Sequence, residues 1–333
     1  MGDAATASVR MDLRAAVDPF YPVRPVLDLV DAFIVRELSR HGELMGEMSK
    51  HLLGGGKRLR PALVVLCGGM FGAEVDRMVP VAAAAEIIHM ATLVHDDLID
   101  DTSTRRGLQA VHARWGARAS VLAGDHLFAK GFSILAAEGD PEVVRLMSDV
   151  VSVTCAGEVD ELQAQWDVNG SEEAYLKRIR AKTGHFIAQC CALGAVLGRA
   201  APGAAAAAAA YGADIGTCFQ LVDDLLDFTA DEGVLGKPVG SDLRGGVYTL
   251  PVVLALAGAA GPALRQLLVR RPVDDLLVSE VKGLLQSSGA LAHAAGRALA
   301  MARHAQGVLD RLPAGMHREL LHHLAEELAH RVS

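Results

Sequence analysis

The stretch VAAAAEIIHMATLVHDDLIDD, residues 81–101, decides the fold class. Pro80 precedes it and fits a first helical position, where its missing N–H costs nothing. The apolar run Ile87–Val94 leads straight into His95-Asp96-Asp97-Leu98-Ile99-Asp100-Asp101. On a helix, acids four residues apart lie one above the other on one face. The same construction recurs at Cys218-Phe219-Gln220-Leu221-Val222, followed by Asp223-Asp224-Leu225-Leu226-Asp227. Like charges at this spacing repel by about 0.2–0.5 kcal/mol even on an exposed helix. In a partly buried cleft an uncompensated carboxylate costs on the order of several kcal/mol. Hard divalent cations with oxygen ligands offset that cost, and Mg²⁺ commonly combines one or two carboxylates with substrate phosphates. The plainer alternative is a pair of solvated helix ends, but a solvated end would carry polar neighbours rather than two apolar runs.

Outward from these clusters the helical pattern continues. Apolar residues at helical spacing predict one helix over 24–52 (Leu27, Val30, Ile34, Leu38) and an apolar run from Pro61 to Phe71. Further helices are predicted over 119–137, 141–165, 171–198, 214–228, 251–260, 273–286, 290–308 and 316–330. Ser171 followed by Glu172 and Glu173 is a capped start with acids near the positive end of the helix dipole. The alanine run 204–210 extends a helix rather than forming a linker. The apolar stretch 186–213 is broken by Arg199 and Pro202-Gly203, so it reads as two buried helices with a turn. Strands are hard to find. The expected fold class is all-α: one bundle of ten or more helices around a central cavity over residues 23–333, with residues 1–22 as an N-terminal arm.

Composition narrows the function. With 51% hydrophobic and 22% charged residues the chain can bury a core. A formal charge of −8 and only 4% aromatic residues speak against nucleic acid as a partner. Cysteines at 67, 155, 190, 191 and 218 form neither a CxxC site nor a disulfide framework and read as reduced, buried thiols of a cytoplasmic protein. The N-terminus lacks an apolar signal core, and no uninterrupted span is found, so no membrane span is expected.

Cations accompany the acids. Gly54-Gly55-Gly56-Lys57-Arg58-Leu59-Arg60-Pro61 combines loop glycines with three positive charges, which suits an anion. It is not a Walker loop, because Arg58 stands where Ser or Thr is needed. Arg105-Arg106-Gly107 follows the first acidic cluster, Gly236-Lys237-Pro238 follows the second, and Lys182-Thr183 lies within a predicted helix. Acids, basic loops and apolar helices together point to a substrate with a diphosphate head and a hydrocarbon body.

These pieces resemble the trans-isoprenyl diphosphate synthases, specifically the polyprenyl diphosphate synthase branch of medium and long chain. The matching segments are GGKRLRP (55–61), LVHDDLIDDTSTRRG (93–107), AKTG (181–184), FQLVDDLLDF (219–228), GKPVGSDLRGG (236–246) and YTLP (248–251). The resemblance implies Mg²⁺-dependent 1'-4 condensation of isopentenyl diphosphate with an allylic diphosphate. It implies three Mg²⁺ ions held between Asp96, Asp97, Asp100 and Asp223, Asp224, Asp227, with Asp96, Asp100 and Asp223 as direct ligands. It assigns Arg105, Lys182, Gln220 and Lys237 to the allylic diphosphate, and Gly56, Lys57, Arg60, His89 and Arg106 to isopentenyl diphosphate. Lys182, Thr183 and Gln220 would stabilise the developing allylic cation. No side-chain base is required, since the released pyrophosphate can take the proton.

Product length is expected to depend on the helix before Asp96, because one helical turn of about 5.4 Å matches roughly one isoprene unit. Ala91, Ile88 and Ala84 leave the tunnel mouth open, with a floor at Phe128 or Phe132 and a product of about C30–C50. A short-chain synthase making geranylgeranyl diphosphate is the alternative. The chain departs from the family at Val247, where Lys is common before Thr-Leu-Pro, and at Gly157-Glu158-Val159-Asp160-Glu161, where GExxQ is usual. Asp101 also stands where Glu is common. A terpene cyclase would usually lack the second DDxxD, and a noncatalytic subunit of a heteromeric synthase would usually lose one of the two. A homodimer, with transient membrane contact for product release, is expected by the same resemblance.

Overall fold

The apolar stretch that precedes the first acidic cluster becomes the central helix α4 (Val75–Ile99). Every residue from Val81 to Ile88 is buried, so the helix is enclosed on all sides, as a helix apolar all round must be. Among the described residues α4 is the helix long and apolar enough to cross a membrane, and most of that apolar window is instead buried by its neighbours.

The molecule is described by a computed structural model over residues 20–39, 43–53, 56, 58–105, 107–230 and 239–331. Preceding α4 are α1 (Arg24–Leu38), α2 (Glu43–Leu53) and α3 (Leu59–Met70). A two-residue strand pair follows it, β1 (Thr104–Arg105) antiparallel to β2 (Leu108–Gln109). Next come α5 (Val111–Trp115), α6 (Ala117–Ala137), α7 (Pro141–Ala164), α8 (Glu172–Ile179), α9 (His185–Leu197) and α10 (Pro202–Thr229). The remaining helices are Ser241–Arg244, Leu250–Ala257, Gly261–Leu268, Asp275–Ser287, Ala290–Leu309 and Met316–His330. The all-α expectation holds.

α4 packs on α6, α3 and α1, while α9 bridges α3 and α10, and α10 leans on the helix Ala290–Leu309. The α4–α6 approach depends on Gly131, whose hydrogen faces Ile88; a Cβ there would stand 2.6 Å from Ile88 Cγ1. Phe20 and Val23 already pack into the main core ahead of α1. A smaller apolar cluster around Tyr248, Val252, Leu264 and Val281 is tied to the main one through Leu254 and Leu291.

Several local expectations change. The helix predicted over 24–52 is two helices, α1 ending at Leu38 and α2 starting at Glu43. Pro80 lies inside α4, not at its start, which is at Val75 behind the extended residue Glu74. So early in the helix Pro80 forgoes only the bond to the Asp76 carbonyl, a tolerable loss in an otherwise well-packed helix. The two helices predicted around 204–228 are one, because alanine continues without a break into the second acidic cluster. The strand pair Thr104–Arg105 with Leu108–Gln109 and the helix Gly261–Leu268 were not anticipated. Cys67, Cys190, Cys191 and Cys218 are buried free thiols, but Cys155 is exposed.

Candidate active site

Asp96 and Asp97 occupy the last turn of α4, and Asp100 is its C-terminal cap residue. The chain then turns through Asp101 (φ +50°) into the hairpin, which swings Arg105 back over the helix end. There Arg105 Nε donates to Asp97 Oδ1 at 2.5 Å, and Asp97 is buried. The two other acids of this cluster are more open: Asp96 is half-buried and Asp100 exposed.

The second cluster ends α10. Asp223 is exposed, whereas Asp224 and Asp227 are buried. Asp224 is satisfied on both oxygens: the Tyr175 hydroxyl donates to Oδ2 at 2.6 Å and Gln220 Nε2 to Oδ1 at 2.8 Å. With its amide nitrogen so directed, Gln220 presents Oε1 to the Thr183 hydroxyl, which donates at 2.8 Å. Asp227 accepts from the Asp242 backbone N–H at 3.3 Å, tying α10 to the helix Ser241–Arg244.

Between the clusters lies a π-helical turn, Arg180–Gly184, closed by His185 N–H to the Arg180 carbonyl. The helix predicted over 171–198 therefore widens at Lys182-Thr183, and such turns often occur at functional sites. Ser171 caps the start as expected, accepting from Ala174 N–H. Gly157 lets α7 close on the widened turn: a Cβ there would meet the Ala181 Cβ at 3.0 Å and Lys182 N at 3.2 Å. Lys182 Nζ consequently reaches Glu161 Oε1 at 2.8 Å and Glu158 Oε2 at 2.9 Å.

Electrostatics joins the two walls at this point. Burial pushes the Asp96 carboxyl up to about 7; the charge on Glu158 adds to the rise and Lys182 opposes it. Burial also raises Asp100, with Lys182 opposing and Glu161 adding. Burial lifts Asp224 to about 6, resisted by the bonds from Tyr175 and Gln220, with the charges on Asp223 and then Glu161 adding to it. Glu161 thus acts on Asp100 of one wall and Asp224 of the other. Burial works against the charge on Lys182, but Glu161 and Glu158 outweigh it and hold the ammonium above its ordinary pKa.

A second group of predicted residues meets around Phe186 of α9. The Arg60 guanidinium stands 4.7 Å above the Phe186 ring, and the His89 ring meets it edge-on at 5.9 Å. Of the three cations expected in the 54–61 loop, Arg58 turns inward instead. It is buried, with Nε on Asp31 Oδ1 at 2.7 Å and Nη1 on Glu86 Oε1 at 3.4 Å, so it braces α1 against α4. Gly56 is exposed at φ +122°, a conformation suited to glycine. Lys57, Arg106 and Lys237 lie outside the described residues.

Of the chain-length candidates, Ala84, Ile88 and Ala91 are buried on α4. Phe128 lies beside His95 with ring centroids 5.8 Å apart, level with the acidic cluster rather than below it. Phe132 adjoins Gly131 and so stands deeper, at the level of Ile88. Sequence reasoning missed Tyr175, Phe186, Glu158 and Glu161. Only Glu158 and Glu161 carried a sequence signal, their place in the altered GExxQ segment.

The donor set fits a hard divalent ion: aspartate oxygens on both walls, with no thiolate or imidazole among them. Among the described residues no three of His, Cys, Asp or Glu are grouped closely enough to hold an ion alone. Phosphate oxygens would have to complete its shell, the usual arrangement for Mg²⁺.

Comparisons with known proteins agree with this architecture. The polyprenyl synthetase family model matches residues 42–284. A nonaprenyl diphosphate synthase of Mycobacterium tuberculosis is 35% identical, covering 94% of this chain and 95% of its own. A heptaprenyl diphosphate synthase component 2 of Geobacillus stearothermophilus is 41% identical over 66% of this chain and 68% of its own. The crystal structure of a decaprenyl diphosphate synthase from Rhodobacter capsulatus superposes with a TM-score of 0.89 at 32% identity, covering 95% of this chain and 98% of that one. With the helical frame, the paired DDxxD clusters and these matches in agreement, the chain belongs to the polyprenyl synthetase family.

Proposed function

We propose that this chain is a prenyltransferase that joins isopentenyl diphosphate to an allylic diphosphate such as farnesyl or geranylgeranyl diphosphate. The product is a longer all-trans polyprenyl diphosphate, and pyrophosphate is released. The observation that carries this reading is the turn Arg180–Gly184 set between the clusters: Thr183 donates to Gln220 and Gln220 to Asp224, while the neighbouring Lys182, paired with Glu158 and Glu161, favours the charged forms of Asp96 and Asp100.

Lys182, Arg105 and Lys237 hold the allylic diphosphate, and Arg60, His89, Lys57, Arg106 and the Gly56 backbone hold isopentenyl diphosphate. Phe186 supports this second group by fixing the attitudes of Arg60 and His89. Asp96, Asp100 and Asp223 would be the direct ligands for Mg²⁺, three ions by family likeness. Asp97, Asp224 and Asp227, engaged by Arg105, Tyr175, Gln220 and the Asp242 backbone, orient the two walls. Mg²⁺, when bound, stabilises charge on the departing pyrophosphate. The cationic side chains add to the same preorganised field as the allylic C1–O bond breaks. Thr183 Oγ1 and Gln220 Oε1, fixed to each other and to Asp224, turn partial negative charge toward the allylic cation. The double bond of isopentenyl diphosphate supplies the electron pair for the new C–C bond, and the proton then lost passes to pyrophosphate.

The product is about C30–C50, on the scale of roughly one isoprene unit per helical turn. Small residues at Ala84 and Ala91 support this, and Phe132 is preferred over Phe128 as the floor because Phe128 is level with the site mouth. The enzyme works in the cytoplasm as a homodimer joined through α6 and α7, where Val121, Leu122, Val159 and Leu162 are exposed. Light scattering tests the dimer. Product contact with a membrane is transient. A second reading, one half of a two-component synthase, is favoured by the name of the Geobacillus relative. Incubation with Mg²⁺, labelled isopentenyl diphosphate and farnesyl diphosphate, followed by mass analysis of the dephosphorylated product, tests the proposal. Elongation by the purified chain alone supports it; elongation only on adding a partner supports the second reading.

A further inference from the structure

Glu161 is the last residue of Gly157-Glu158-Val159-Asp160-Glu161, where the family resemblance leads to an expectation of glutamine. Glu161 places a full negative charge against Lys182. Nζ stands 2.8 Å from Glu161 Oε1 and 2.9 Å from Glu158 Oε2, and Arg178 Nε lies 4.0 Å from the other Glu161 oxygen. All these groups are partly buried, where such charge-assisted bonds are strong. A lysine ammonium has three donors, and here two are committed to carboxylates. A diphosphate oxygen arriving at Lys182 must share the last donor beside two negative charges or displace one of them.

We propose that Glu161 is a positioning residue that competes with diphosphate for the Lys182 ammonium. It holds Lys182 against α7 and weakens diphosphate binding, so that pyrophosphate leaves readily once it is formed. A glutamine at 161 would accept one weaker bond and bring no repulsion. The inference rests on Lys182 being a diphosphate contact, as proposed above.

Calorimetric titration with inorganic pyrophosphate in the presence of chelator reads the competition without turnover. Glu161→Gln should bind pyrophosphate about tenfold more tightly than the unaltered chain, the change expected for loss of one charge-assisted bond. The gain should vanish in the Glu161→Gln/Lys182→Met double variant. With substrates, KM for the allylic diphosphate should fall in Glu161→Gln more than kcat changes. A purely structural role would lower the melting temperature without tightening binding. If Glu161→Gln does not fold, Glu161→Asp, which keeps the charge and shortens the reach, should show a smaller gain. Unchanged or weaker binding in whichever variant folds overturns the proposal. So does a gain that persists in the double variant, since that would be a general effect of charge. If Lys182→Met alone binds pyrophosphate as the unaltered chain does, the reading of Lys182 as a diphosphate contact fails first, and that outcome is distinct.

Discussion

The Tyr175 hydroxyl donates to Asp224 Oδ2 at 2.6 Å, so an acid of the second DDxxD is anchored from α8 rather than turned to solvent. Asp224 in turn fixes Gln220 and, through it, Thr183. Tyr175→Phe removes this donor while keeping the ring. It should cost about 1–3 kcal/mol of stability, the price of an undersatisfied buried carboxylate, measured by urea unfolding. Turnover should fall more than KM rises, because the chain that orients Gln220 loosens.

Stability should also depend on pH in a particular direction. Burial raises Asp96 to about 7 and Asp224 to about 6. A carboxyl whose pKa in the fold exceeds its unfolded value of about 3.9 binds its proton more tightly when folded. Its contribution is therefore favourable near pH 4 and is lost as pH rises through about 6–7. In chelator, the contribution of these two groups to the urea midpoint should fall between about pH 4 and 7. Asp96→Asn should flatten that slope and add on the order of 1–3 kcal/mol at pH 8, a discounted share of the shift. The same variant should lose at least about 100-fold in turnover, the scale of a lost preorganised electrostatic contact. Gain of stability with loss of activity is the signature of a functional rather than structural carboxylate.

Arg58 and Arg60, two residues apart in one basic loop, should behave oppositely. Arg58→Ala removes the buried cation paired with Asp31 and Glu86 and should cost about 3 kcal/mol or more in unfolding experiments. Arg60→Ala removes the cation stacked on Phe186 and should raise KM for isopentenyl diphosphate with a smaller effect on stability.

Chain length should respond to the α4–α6 contact. Ile88 lies about 12 Å, eight residues, down the helix from Asp96. Phe132→Ala should lengthen the product by at least one isoprene unit, and Ala91→Phe should shorten it. Mass analysis of dephosphorylated products reads both, and unchanged products in both variants would remove the tunnel from this region.

Much of this was legible in the sequence for a simple reason. Helical periodicity and the two acidic clusters are local patterns, and α4, α7, α9 and α10 follow from them. What escaped depends on partners distant in sequence. The inward turn of Arg58 is set by Asp31 and Glu86, and the anchoring of Asp224 by Tyr175, 49 residues away. The widened turn at Lys182 packs closely on Gly157 of α7, another contact between segments distant in sequence. Pro80 misled because a proline favours a helix start, yet packing on every side of α4 outweighs one lost hydrogen bond. Residues such as Phe186 carry no polar signal, and their role is visible only where Arg60 and His89 meet.

The central claim is that carboxylates from two helices act together, through divalent cations, on a departing pyrophosphate. Its most direct test is the rate of prenyl elongation in metal-stripped enzyme as Mg²⁺ is restored, alongside Asp96→Asn and Asp223→Asn. The account predicts no elongation in chelator, full recovery with Mg²⁺, and a raised Mg²⁺ requirement in each variant. Elongation in chelator at the unstripped rate, or variants that respond to Mg²⁺ as the unaltered chain does, would contradict it.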